Sequence, residues 1–91
     1  MKIIGLRELE RLVQETFPAK GRFSAESELG AHVNRAPVMS FVHGGPDPFH
    51  DGHFDAWLAG SPKFVTVYQL LNRLCRAGAL APGNYAVTRR A

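Results

Sequence analysis

The sequence predicts an α+β fold. Two segments carry apolar residues at helical spacing, Leu6 to Phe17 and Phe64 to Cys75, and a strictly alternating stretch lies between them. Ninety-one residues hold a single core, so residues 1–91 are expected to form one small domain. Hydrophobic residues make up 45% of the chain and charged residues 21%, which excludes a disordered or collagen-like polypeptide.

The elements follow in order. Leu6, Leu9, Leu12, Val13 and Phe17 mark one face of an N-terminal helix, with Arg7 to Glu10 and Arg11 to Glu15 at helical-neighbour spacing on the other. Pro18 and Gly21 end it. From Arg22 to Val33 the period becomes two: Phe23, Ala25, Ser27, Leu29, Ala31 and Val33 alternate with more polar residues or glycine. That predicts a half-buried strand. The alternative is a helix capped by Ser24 that carries Leu29 and Val33. With a turn at Asn34-Arg35-Ala36-Pro37 and a strand over Val38–Val42, the alternating stretch forms a β-hairpin.

Gly44 to Gly52 reads as a loop. Asp51 then caps a short helix with Phe54, Trp57 and Leu58 on one face, and Trp57 is expected to fill the core. Ser61-Pro62 is a helix start, so a long helix is expected from there to Ala77, closed by Gly78 in a left-handed conformation. Its apolar face holds Phe64, Val67, Tyr68, Leu71, Leu74 and Cys75. Thr66, Gln69, Asn72, Arg73 and Arg76 lie opposite, with Lys63 at the margin. Pro82-Gly83 suits a type II turn and hence a small C-terminal hairpin.

Charge is unevenly placed. The chain carries a net +3, yet no acid follows Asp55, while Lys63, Arg73, Arg76, Arg89 and Arg90 do. A one-sign C-terminal third is the footprint of a surface that meets phosphate or an acidic protein. One cysteine, Cys75, cannot form an internal disulfide and points to a cytoplasmic setting. No apolar run reaches the ~20 residues that a membrane span requires.

The stretch Val65-Thr66-Val67-Tyr68-Gln69-Leu70-Leu71-Asn72-Arg73-Leu74-Cys75-Arg76-Ala77-Gly78-Ala79-Leu80 resembles the recognition helix and first wing strand of winged helix-turn-helix DNA-binding domains. Pro82-Gly83-Asn84-Tyr85-Ala86-Val87-Thr88-Arg89 is similar to their wing. The resemblance covers residues 52–91. It implies short and long helices in helix-turn-helix order, and a DNA-binding regulator without enzymatic activity. Lys63, Thr66, Gln69, Arg73 and Arg76 would serve the helix's contact with duplex DNA, and Arg89 and Arg90 would lie on phosphates. Neutralising five phosphates would give a log–log salt slope of roughly −4 to −5.

The rival expectation is a protein-binding inhibitor or adaptor that docks its basic face on an acidic partner. A third concerns His43, His50 and His53, which lie close to Asp47, Asp51 and Asp55 and are candidate metal ligands, though no paired cysteines or familiar ligand spacing accompany them. His50 with Asp47 is an imaginable acid–base pair. No nucleophile elbow, phosphate-cradling loop or zinc-protease helix accompanies it, so neither enzymatic activity nor a cofactor is expected.

Overall fold

A computed structural model describes residues 1–62 and 64–89. Two of the predicted contact residues, Lys63 and Arg90, lie outside them. The elements run β1 (Lys2–Gly5), α1 (Leu6–Thr16), α2 (Ala25–Val33), β2 (Val38–Val42), α3 (Asp51–Leu58), α4 (Val67–Arg76) and β3 (Gly83–Thr88), with a short 3-10 turn at Pro18–Lys20. The class is α+β, with four α-helices and a three-stranded sheet among the described residues.

The sheet order is β1-β3-β2. β3 runs parallel to β1, with Ile3 opposite Ala86, and antiparallel to β2, with Met39 opposite the same Ala86. The helices cover one face of the sheet. Ile4, Val42, Tyr85 and Val87 point inward to meet Leu9, Val13, Leu70, Leu71 and Leu74. Beyond them Trp57, 1% exposed, packs edge-on against Phe23 and tilted against Phe54 at centroid distances of 5.6 and 5.4 Å. Its indole N–H donates to Glu28 at 3.0 Å, so the one polar atom of this core residue is satisfied.

Residues 22–33 do not form a strand. Ser24 caps α2 by accepting the Ser27 N–H, and Glu10 of α1 accepts the Ala25 N–H at 2.8 Å. Ala25, Leu29, Gly30 and Val33 are the buried positions, a spacing of three or four that belongs to a helix. The apparent alternation counted Ser27 and Ala31 as inward, and both are exposed. The expected first hairpin is therefore absent, and β2 pairs with β3 instead.

Three other boundaries move. His50, not Asp51, occupies the cap position of α3; the Asp51 carboxylate accepts the Asp47 N–H at 3.1 Å. The long helix does not begin at Ser61-Pro62. It begins at Thr66, whose hydroxyl accepts the Gln69 N–H while the Gln69 side chain accepts the Thr66 N–H, a reciprocal capping box. The connection from α3 thus spans 59–66, longer than the short turn of a helix-turn-helix. The C-terminal hairpin is missing as well, because residues 79–81 form no strand and β1 pairs with β3 instead. Gly78 does close α4 with φ +82°, as expected.

Candidate functional site

The polar side of α4 is partly enclosed. Gln69 and Asn72 are buried, at 5% and 2% exposure, Arg73 is half-buried and Arg76 is exposed. This side packs against α3 and the 43–50 loop. Asn72 binds the loop twice: its Oδ1 accepts the Gly44 N–H at 2.9 Å and its Nδ2 donates to Gly45 O at 3.1 Å. Thr66 is exposed, with its hydroxyl occupied as the helix cap.

Arg73 and Arg76 are drawn back onto α3. Arg73 Nη1 reaches Asp55 at 3.0 Å and Asp51 at 3.8 Å, and its guanidinium lies 4.5 Å from the centroid of the Phe54 ring. Arg76 forms a two-pronged pair with Asp51 at 3.2 and 3.1 Å, and also donates to Gly45 O at 2.6 Å. The hydrogen bond from Arg76, with the Asp47 N–H behind it, holds the Asp51 carboxyl below its ordinary pKa. The space among Asp47, Asp51, Phe54, Gln69 and Arg73 leaves no room for a water molecule. This junction ties α3 to α4.

Arg89 stands elsewhere, paired with Glu26 and donating to Asn34 at 2.6 Å. The charges that form a block in the sequence are thus split between two sides of the fold. Each described arginine of that block has an acid beside it.

The three histidines take separate partners. His43 Nδ1 accepts the Gly45 N–H at 3.0 Å, His50 Nδ1 donates to Asp47 at 2.7 Å, and His53 Nε2 donates to Phe64 O at 2.7 Å. No group of three or more potential ligands converges among the described residues. The Asp47–His50 pair has the geometry of an oriented imidazole. Its Tyr68 neighbour, 6.4 Å between centroids, meets it ring to ring.

The open surface lies on the other side of the molecule. Ile3, Ala86 and Met39 stand in one row across the three strands, on the face turned away from the helices. Ile3 is 63% exposed, Met39 56% and Phe41 62%. The three strands together hold one charge, Lys2, and no acid. Around the edge of β2 the surface turns into an open cleft of about 360 Å³ between α2 and the 64–67 segment, lined by Leu29, His32, Val38 and Phe64.

Comparison with known proteins gives no matching family model, no similar curated protein and no similar solved structure.

The site must therefore be read from its own chemistry. The sequence signal for the apolar face was available in Ile3, Met39 and Phe41, yet only pairing to β3 turns all three to the same side. Among the described residues no helix is long and apolar enough to cross a membrane.

Proposed function

We propose that this chain is a non-enzymatic protein-binding domain whose contact surface is the outer face of its sheet. One observation carries the reading: Ile3, Met39 and Phe41 form an uncovered apolar face, while Arg73 and Arg76 are engaged by Asp51 and Asp55. Contiguous exposed apolar surface favours a partner of matching character. Arginines already holding carboxylates lose those pairs before they can hold phosphates. The partner's surface is apolar at the centre, and an acidic rim suits a chain of net charge +3.

The competing reading is a winged-helix-like regulator bound to duplex DNA through Arg73 and Arg76. The two are separated by affinity capture from nuclease-treated extract with the wild type and Ile3→Ser, alongside gel shifts on duplex DNA. Protein binding expects nuclease-resistant capture that Ile3→Ser reduces about tenfold or more. Retardation of duplex DNA at micromolar protein and low salt, lost in Arg73→Ala/Arg76→Ala, would overturn it.

A further inference from the structure

β2 is an edge strand, and its own residues lack the devices that protect edges. Sheet edges are ordinarily blunted by charge, proline, a bulge or very short length. The opposite edge, β1, has four residues and carries Lys2. β2 has five, Val-Met-Ser-Phe-Val, with no charge and no proline inside it. It pairs with β3 on one side, and among the described residues its other side meets no strand.

The same five residues read alike in both directions. Valine stands at each end, a long apolar side chain at the second and fourth places, and serine at the centre. Two such strands laid antiparallel about Ser40 match Val38 with Val42, Met39 with Phe41, and Ser40 with Ser40. Side chains alternate along a strand, so both Met39–Phe41 pairs fall on the outer face. We propose that the occupant of this edge is a second copy of the chain, giving a two-fold dimer with a continuous six-stranded sheet.

Electrostatics permits this pairing. Each copy carries a net +3, but the paired strands are uncharged, so no like charges meet across the seam. Symmetry makes every contact of the seam occur twice. The seam is five residues long on each copy, against roughly 20–30 residues a side in a standard stable interface, so the association is expected to be weak.

The inference rests on the outer face being a contact surface and extends it, because dimerisation doubles that face. Sedimentation from about 10 µM to about 1 mM tests it. The wild type should move from 10.0 kDa toward twice that mass. Met39→Lys/Phe41→Lys sets lysine opposite lysine twice and should weaken association at least about tenfold. Met39→Glu/Phe41→Lys sets opposite charges together and should restore it, with sensitivity to salt. Both variants change exposed positions, and circular dichroism confirms that each is folded; were the double-lysine protein unfolded, Met39→Lys alone should show intermediate weakening. A wild type that stays monomeric over the whole range overturns the dimer, as does equal association of both double variants. Partner capture that depends on Ile3, at the far edge, would survive either result.

Discussion

Arg76 grips Asp51 with both terminal guanidinium nitrogens, at 3.2 and 3.1 Å, across 25 positions of sequence. Parallel N–H donors on one carboxylate fix orientation as well as distance. Because Asp51 opens α3 and Arg76 closes α4, the pair sets how these helices meet.

Stability should depend on pH through Asp51. Its folded pKa lies below the ordinary value of 3.8. The stabilisation is therefore complete above that value and is lost as pH falls through the lower, folded one. Asp51→Asn should melt below the wild type at neutral pH. The gap should close on the acid side of 3.8, and it should narrow in high salt. Thermal melts across an acid series measure this, and a gap independent of pH would contradict it.

Asn72→Ala should be more costly than its neighbours suggest. It deletes both bonds to the 43–45 backbone from a side chain 2% exposed. Loss of about 2–4 kcal/mol is expected, since Gly44 N–H and Gly45 O each lose a partner. Urea denaturation reads the value directly.

Gly44 and Gly78 both have positive φ, at +77° and +82°, but only one is crowded. A methyl group on Gly44 would sit 2.9 Å from Cys75 Sγ and 3.1 Å from the Arg76 backbone nitrogen, whereas at Gly78 nothing lies within 4 Å. Gly78→Ala should cost about 1–2 kcal/mol from conformation alone. Gly44→Ala should cost more and loosen the loop, visible as faster amide exchange at Gly44 and Gly45.

Thr66→Ala removes the hydroxyl that starts α4. The expected loss is about 1 kcal/mol. Thr66→Ser should retain most of the stability, because the hydroxyl remains.

How much of this was legible depends on range. Leu6, Leu9 and Val13 identified α1 because local periodicity is enough when every apolar residue is large. It failed over Arg22–Val33, where alanine, serine and glycine satisfy either period and the deciding bond reaches from Glu10 to Ala25. Ser61-Pro62 outweighed the true start of α4, although Thr66 with Gln69 three places on spelled the capping box. The site was least legible. Sequence places Asp51 and Asp55 before the basic segment, and only the packing of α3 on α4 brings those acids onto Arg73 and Arg76. Nothing local announces that Lys2–Gly5 pairs with residues 85–88.

That last pairing bears on how the molecule is made. β3 is the final described element, yet it supplies the middle of the sheet. While the chain is being synthesised, β1 and β2 have no neighbour to join until residues 83–88 leave the ribosome. The sheet then closes in one late step over nearly the whole sequence, which is slow by topology. Until that moment Val38–Val42 stands bare on both sides, and a nascent chain stalled before residue 83 would be prone to aggregate there.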